Sequence, residues 1–231
     1  MRRLRWLGVA IGLALPLGAA PQPTHRLHPE VSTRIAGVKT VGLVPPRIGA
    51  WEIGADGRRV ANWGWAEDAR RTVATSLERR LKGAGFAVTP LAPGPPDALQ
   101  ELDQVALLYG AVARAIVFAT YENDFPWKLN RFEYSVGDVE RLVASAGVDA
   151  LVLCEGEVNV PSPGRVLRDA FASPFATALP LIDSLSVALV DRTGAVLWFN
   201  RVESANSDLR VPVLTEVMVH HATGYMPEVR R

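Results

Sequence analysis

Residues 182–203, IDSLSVALVDRTGAVLWFNRVE, contain the clearest folding signal in this chain of 231 residues. In the first half, leucine and valine alternate with small or polar residues, the period-two pattern of a strand with one buried face. The second half, Val196–Val202, is rich in the β-branched and aromatic residues that strands favour. Between them, Asp191-Arg192-Thr193-Gly194 offers an Asp that bonds its own backbone and a Gly that accepts positive φ. The stretch predicts a β-hairpin.

The residues before this hairpin predict a strand, a second hairpin and a long helix. Lys39–Val44 is a short apolar strand that ends at Pro45-Pro46, because proline cannot continue a strand ladder. Trp51–Val60 favours a small hairpin that turns at Asp56-Gly57. Asn62 is the expected cap of a helix with apolar residues at every fourth position. These residues are Trp65, Ala69, Val73, Leu77 and Leu81.

The rest of the chain continues the pattern of strands and helices. Phe86–Leu91 predicts a strand, so that strand, helix and strand form a right-handed crossover. A longer helix starts at Asp97 and is apolar on more than one side, which favours burial against the sheet. Val148–Val160 is the most apolar strand and the expected centre of the sheet. Asp208 is expected to cap a last helix, and residues 166–180 are compatible with helical turns or an irregular flap.

Together these elements predict an α/β (α+β) fold: one mixed sheet of about five strands, flanked by three to four helices, with a carboxyl-terminal β-hairpin and helix. The length suits a single domain over residues 38–231. Residues 1–20 are expected to be a cleavable signal peptide, since three arginines precede an apolar run too short for a membrane span. The proline-containing residues 21–37 are expected to form a flexible lead-in.

Charge and cysteine content narrow the class of protein. The chain has 25 Lys+Arg and 24 Asp+Glu, a net charge of +1. Removing residues 1–20 takes away three arginines and no acids, which leaves 22 against 24 and a net charge of −2. Nothing then favours nucleic acid as a partner. Cys154 is the only cysteine and lies in an apolar run, so we expect a buried thiol, no disulfide and no lipoprotein anchor. The expected location is periplasmic or secreted, without a membrane span in the mature chain.

Familiar enzyme motifs are absent from the sequence. It has no Gly-x-Ser-x-Gly elbow, no phosphate-binding Gly-rich loop ending in Lys-Ser/Thr and no His-Glu-x-x-His. Loop positions, helix caps and solvation explain the candidate acids and histidines without chemistry. These candidates are Asp124, Glu133, Asp138, His25, His28 and the adjacent pair His220-His221. We therefore predict no catalytic residue, no cofactor and no metal, although an enzyme stays open as an alternative.

Aromatic segments are the best candidates for a binding surface. Trp51, Trp63 and Trp65 surround the start of the first long helix, close in sequence to Pro45-Pro46 and Arg47. Tryptophan offers a large amphipathic contact area, and Trp and Arg are enriched among the residues that dominate interfaces. Trp65 fits the core face of the helix, and the loop 121–134 is a second aromatic segment. The predicted partner-binding residues are Trp51, Trp63, Arg47, Phe125 and Trp127, with packing over the sheet edge as the alternative for Trp51 and Trp63.

Several segments together resemble a family of exported proteobacterial proteins. They are VGLVPP (41–46), NWGWAEDAR (62–70), FEYSVGDVERL (132–142), GVDALVLCEGEVNVPSPGR (147–165) and VDRTGAVLWFNRV (190–202). The pattern is similar in turn to the α/β domain shared by CsgG-like periplasmic regions, the amino-terminal domain of the TolB protein and activator lipoproteins of penicillin-binding proteins. The resemblance implies a non-enzymatic envelope module that acts through contacts with other envelope proteins, and it offers no catalytic residues.

The predicted function is therefore a periplasmic, non-enzymatic binding or assembly accessory of the bacterial cell envelope, acting through an open sheet edge or the tryptophan-rich loop. Its partners are envelope proteins, with a homo-oligomer as a further option. Two alternatives stay open: a hydrolase of envelope carbohydrate or peptide, and a soluble periplasmic protein that binds a small ligand. Convergent ionisable groups in one cleft would favour the first alternative, and a deep apolar pocket the second.

Overall fold

The computed structural model describes residues 25–91, 96–123, 125–171, 181–205 and 207–228. Eight strands in this part of the chain form one mixed sheet. They are β1 (His25–Leu27), β2 (Thr40–Leu43), β3 (Arg47–Ile53), β4 (Arg59–Ala61), β5 (Ala87–Pro90), β6 (Ala150–Pro161), β7 (Asp183–Asp191) and β8 (Val196–Ser204). The strand order is β1-β8-β7-β6-β2-β5, with β3 paired to the later part of β6 and β4 paired to β3. The predicted class, α/β with a single mixed sheet, is confirmed.

Helices cover both faces of this sheet. They are α1 (Val31–Arg34), α2 (Trp63–Gly83), α3 (Pro96–Val117), α4 (Pro126–Asn130), α5 (Glu140–Ala146), α6 (Pro163–Phe171) and α7 (Pro212–Ala222), and α3 continues into a π-helical turn, Phe118–Glu122. One core lies between the sheet and helices α2 and α7, around Leu77, Leu81, Leu189, Trp198 and Met218. The second lies under α3 and α5, around Tyr109, Ile116, Leu142, Leu151 and Phe199. Each such side chain contributes about 1.5–3 kcal/mol by leaving water.

The sheet has eight described strands where the sequence predicts about five, and the described helices number seven against three to four. The additional strands are short or interrupted. β1 and β4 have three residues each, too few for a period-two pattern to stand out. Pro45-Pro46 stops the first strand as predicted, but the chain resumes as β3 at Arg47 along the same neighbour, β6.

Residues 25–37 do not form the flexible lead-in that the sequence predicts. β1 pairs antiparallel with β8, with His25 opposite Asn200. His28 is buried, and its backbone N–H donates to the carbonyl of Leu197 at 3.0 Å. Such a short edge strand takes its order from the strand beside it, so its own composition does not reveal it. The predicted signal peptide, residues 1–20, lies outside the described residues, and the single domain remains a prediction.

The hairpin at 182–203 is confirmed as β7, a turn and β8. Asp191 Oδ1 accepts hydrogen bonds from the Thr193 N–H at 2.9 Å, the Thr193 hydroxyl at 2.7 Å and the Ala195 N–H at 3.1 Å. Gly194 has a φ of +81°, and the second oxygen of Asp191 binds Arg34 of α1 at 2.6 Å. One carboxylate therefore shapes the turn and ties the amino-terminal segment to it.

Helix ends follow the sequence in part. Asn62 caps α2 as predicted, with its Oδ1 accepting from the Trp65 N–H at 3.1 Å. Asp208 does not cap α7, because that helix begins after Val211 without a side-chain cap. Asp208 instead forms an ion pair with Arg210 at 2.7 Å.

Gly194→Ala is expected to lower the free energy of unfolding by more than about 3 kcal/mol. Alanine in a left-handed backbone costs about 1–2 kcal/mol, and its Cβ would overlap the carbonyl oxygen of Gly137, a backbone atom that cannot move aside alone. Gly57→Ala is the matched control: Gly57 has a φ of +82° but open space around the added Cβ, so only the conformational cost applies. Urea unfolding measures both variants, and equal losses would contradict the role of Gly137.

Candidate functional site

The first candidate site is a crevice at the carboxyl end of β2, between α2 and α3. From β2 the chain runs through β3 and β4 to α2 on one face of the sheet, and after β5 it passes to α3 on the other. Diverging connections of this kind leave a gap above the strand ends, the usual position of binding sites in open α/β sheets. The gap has a volume of about 700 Å³ and is lined by residues that include Pro45, Pro46, Arg47, Trp63, Ala106 and Glu155. We call it the diproline crevice.

Most charged side chains around the diproline crevice have partners among the described residues. Arg47 Nη1 donates to the carbonyl of Ala106 on α3 at 3.3 Å, and Glu157 binds Arg59 at 3.1 Å. Glu67 pairs with Arg70. By contrast, Trp63 at the first turn of α2 is 83% exposed. The crevice therefore contains an exposed indole, that of Trp63, and a guanidinium, that of Arg47, which donates a hydrogen bond to a backbone carbonyl.

The predicted residue Trp51 has a structural role. It lies within β3, half-buried, with the Arg59 guanidinium 4.6 Å from its ring centre. Its indole lies over Gly49, where a Cβ would come within 3.2 Å of Trp51 Nε1. Trp65 packs against the core as predicted. Of the tryptophans near Pro45-Pro46, Trp63 alone has a ring that is largely exposed.

The second candidate surface combines Phe125 and Trp127 with the end of α3. The rings of Phe118 and Phe125 are 6.2 Å apart, and those of Phe125 and Trp127 are 6.3 Å apart. Phe118 is 57% exposed and Trp127 62% exposed. Lys128 lies 4.9 Å from the Trp127 ring centre. Phe118, Phe125 and Trp127 form the aromatic cluster.

The outer face of α3 continues this cluster along the helix. The sequence predicts burial of α3 against the sheet, and the side with Tyr109 and Ile116 is buried there, whereas the opposite apolar side is exposed. Leu107 and Leu108 are exposed by 57% and 44%, and Ala111 and Ala115 are exposed as well. Within the described residues, one helical stretch, Gln100–Glu122, has the length and apolar composition to cross a membrane, and half of its most apolar window is buried inside the protein. We call the exposed side of α3 with the aromatic cluster the α3 surface.

The structure thus separates the predicted binding residues into two groups. Arg47 and Trp63 meet at the diproline crevice, which also includes Asp103 of α3. The aromatic cluster starts fifteen residues further along the helix, about 22 Å away at 1.5 Å per residue. Trp51 belongs to the sheet.

Candidate catalytic and metal-binding residues are dispersed. Among the residues that the structure describes, no group of three or more His, Cys, Asp or Glu could hold a metal ion. Asp138 accepts from the Glu140 N–H at 2.9 Å, His25 stacks on Tyr225 with ring centres 5.1 Å apart, and Asp124 lies outside the described residues. Burial of Cys154 raises the pKa of its thiol far above the ordinary range. The absence of catalysis and cofactors stays a prediction.

Asp183 is a buried carboxyl that the sequence analysis does not single out. Asp183 lies two residues before Leu185, so it continues the alternation of apolar positions in β7. This alternation is the sequence pattern from which its burial could have been predicted. It accepts from the Asn159 N–H at 2.8 Å. Burial raises the pKa of Asp183 to about 7, the Asn159 bond opposes this, and the nearby Asp208 adds to it. Arg210 lowers the pKa of its partner Asp208 and stacks over Trp65 at 4.5 Å.

Comparisons with known proteins give distant likenesses in structure only. No protein-family model and no curated protein matches the chain. Two solved PelC dodecamers from Paraburkholderia phytofirmans are similar at 10% identity: one covers 90% of this chain and 96% of the PelC chain with a TM-score of 0.42, and a point variant of PelC covers 85% and 92% with 0.37. The LpoB carboxyl-terminal domain from Salmonella enterica is 12% identical over 78% of this chain and 95% of the domain, with a TM-score of 0.28. At these TM-scores the likenesses add nothing to the case for function, and the resemblance to CsgG-like domains stays a prediction.

Asp183→Asn is expected to change how stability depends on pH. A carboxyl with a folded pKa of about 7, above its ordinary value of 3.8, binds its proton more tightly in the folded state. Its contribution is therefore complete below about pH 4 and is lost as pH rises through 7. The variant should be more stable than wild type at pH 8, on the order of 1–2 kcal/mol, and the gap should close towards pH 4.

Asp208→Asn supplies the control of opposite sign. Because the pKa of Asp208 is lowered by Arg210, this variant should be less stable by a constant amount from pH 8 down to pH 4, and the gap should close only below about pH 4. Urea unfolding between pH 4 and 8 measures both. Parallel curves for wild type and Asp183→Asn would show that Asp183 does not titrate in this range.

Proposed function

We propose that this chain is a non-enzymatic protein-binding module of the bacterial cell envelope, and that a partner protein docks at the diproline crevice. The observation that supports this most directly is the side chain of Trp63, which is 83% exposed at the rim of a crevice walled by α2 and α3. Solvent-exposed tryptophan beside arginine is typical of the residues that dominate protein interfaces. The envelope location rests on the predicted signal peptide.

The form of the crevice suits an inserted side chain or peptide turn better than a small substrate. Its floor is the polar part of β6, Glu155–Glu157, and its rim contains two prolines. Pro45 and Pro46 lack N–H donors, so the rim is stiff and cannot pair as a strand. Most charged groups in the crevice are already paired. A partner would therefore bind mainly by apolar contact with Trp63 and Pro46, and Arg47 would orient it.

A small-ligand protein is the second candidate, because one observation favours it. A cavity of about 930 Å³ lies between α7 and the end of β8, lined by residues that include Val202, Leu214, Val217, Met218 and Tyr225. This volume is in the range of ligand sites. Arg80 and Arg201 at its edge would suit an apolar molecule with an anionic group. Native mass spectrometry of the purified chain tests this, since a bound molecule adds mass that denaturation removes.

Docking at the crevice is tested by photo-cross-linking in the native envelope. The full chain is expressed with p-benzoylphenylalanine in place of Trp63, and a second version has it in place of Val213, an exposed residue of α7 (65%). We expect the probe at 63 to trap a partner protein in stoichiometric amount and the probe at 213 to trap none. Recovery of no partner at 63, together with turnover of a cell-wall substrate, would contradict the proposal in favour of the hydrolase.

Trp63→Ala is expected to weaken binding of the trapped partner at least about 30-fold, the loss typical of a central interface residue. Its melting temperature should match wild type because the ring is mostly exposed. Val60→Ser, at a residue of β4 exposed by 61%, is the control that should leave binding unchanged. Isothermal titration with the purified partner measures all three chains. Equal affinities would place the docking site elsewhere.

A further inference from the structure

We propose that the α3 surface is a homodimer interface in which α3 pairs antiparallel with α3 of a second copy, on a two-fold axis at Ala111. Its apolar contact residues Leu107, Ala111 and Phe118 do not line the diproline crevice, so it goes beyond the proposed function and does not depend on it. Three features indicate that the partner is a second copy of this chain: the pattern of exposed residues along α3, the charges of the helix and the area of the exposed surface.

The exposed positions of α3 repeat as an interface helix requires. Gln104, Leu107, Ala111, Arg114 and Phe118 are exposed at spacings of three and four residues, the spacing of the contact positions of paired helices. The opposite side of the helix already packs on the sheet through Leu102, Tyr109, Ala113 and Ile116. A helix of a soluble domain normally has one apolar stripe. This one also carries apolar residues, Leu107, Ala111 and Phe118, on its opposite and exposed side.

The stripe is complementary to itself when reversed about Ala111. In that arrangement residue 111 + k of one copy faces residue 111 − k of the other. Leu107 then meets Ala115, and Phe118 meets the stem of Gln104, so that large side chains face small or flexible ones. Ala111 faces itself, and a small residue at the crossing point lets the two helices approach closely. The same patch serves both copies, as a two-fold interface demands.

Charge also favours the antiparallel direction. Asp103 is exposed at the amino-terminal side of the stripe, whereas Arg114 and Lys128 lie towards the carboxyl-terminal side. Arg114 pairs with Glu155 of its own chain at 3.4 Å, so the charges act by avoidance: reversal puts the two Asp103 carboxylates about 24 Å apart along the axis, and it opposes the two helix dipoles. A parallel pair would place like charges together.

The area is sufficient for a stable but modest dimer. The stripe from Gln104 to Phe118 is about 21 Å long on a helix about 10 Å wide, and exposed aromatic side chains at its end add roughly 300 Å². Each copy thus offers roughly 500–600 Å². The total of roughly 1,000–1,200 Å² is at the lower limit for specific interfaces, which predicts dissociation in the micromolar range.

Cysteine substitutions test the register, because the single native cysteine is buried and only 3% exposed. Ala111→Cys should form a disulfide-linked dimer of twice the chain mass under mild oxidation. Ala115→Cys, on the same exposed face, is the matched control. Its two copies would be about 12 Å apart along the axis, beyond the roughly 7 Å that a disulfide can span between Cα atoms. The double variant Leu107→Cys/Ala115→Cys should cross-link again. Equal cross-linking of the two single variants would overturn the register.

Sedimentation equilibrium of the full chain, over a concentration range of roughly 1 to 100 μM that brackets the expected dissociation constant, tests the dimer itself. Leu107→Glu should weaken self-association at least tenfold, since it places a carboxylate opposite Ala115 in an apolar contact. Val213→Glu, at a residue of α7 with similar exposure (65%), should leave it unchanged. A monomer at every concentration, or a dimer indifferent to Leu107→Glu, would overturn the proposal. So would a monomer that floats with phosphatidylglycerol vesicles through the same face.

The outcome at the crevice is measured separately. Trapping by the probe at residue 63 and loss of binding in Trp63→Ala do not require self-association. Failure of the homodimer with intact trapping would therefore remove this inference alone.

Discussion

The hydrogen bonding of β6 is the constraint on which the rest of the molecule depends. Its twelve residues pair with β7 along one edge and with both β2 and β3 along the other. A strand bonded on both edges and covered on both faces has to be apolar where helices cover it, and Ala150–Cys154 is buried throughout. In the later part of β6 the exposed or half-buried positions Glu155, Glu157 and Asn159 are polar, whereas Val158 between them stays in the core. That change of character along one strand puts the crevice at its middle.

Pro45-Pro46 interrupts the pairing along this edge of β6, between β2 and β3. Val44 still donates to the carbonyl of Val152 at 3.0 Å, and Arg47 resumes the pairing opposite Glu155. Between them the two prolines cannot donate to the ladder, so the edge of β6 is left partly open. The crevice is therefore a product of two residues that interrupt a ladder.

Features that depend on side chains a few residues apart could be predicted from the sequence, and features that depend on contacts between distant segments could not. The turn at Asp191–Gly194, the cap at Asn62 and the stop at Pro45-Pro46 each depend on side chains a few residues apart, and the structure confirms them. β1 was missed because its order comes from β8. The exposure of α3 was not predicted, because the hydrophobic pattern of a helix is the same whether its second apolar face contacts the rest of the protein, a partner or water. Arg47 and Trp63 could be named from the sequence, but only the crossover geometry brings them to one crevice.

His25 and Tyr225 connect the first strand to the turn after the last helix. Their stacked rings bring two points two hundred residues apart in the chain to one corner of the molecule, at the β1 edge. Tyr225 holds a φ of +62° there, a backbone state that a non-glycine residue adopts only where its surroundings require it. This corner is four strand spacings from β2, about 19 Å. The stacked rings therefore fasten the turn after α7 to the sheet edge opposite β5, several strands from Pro45-Pro46.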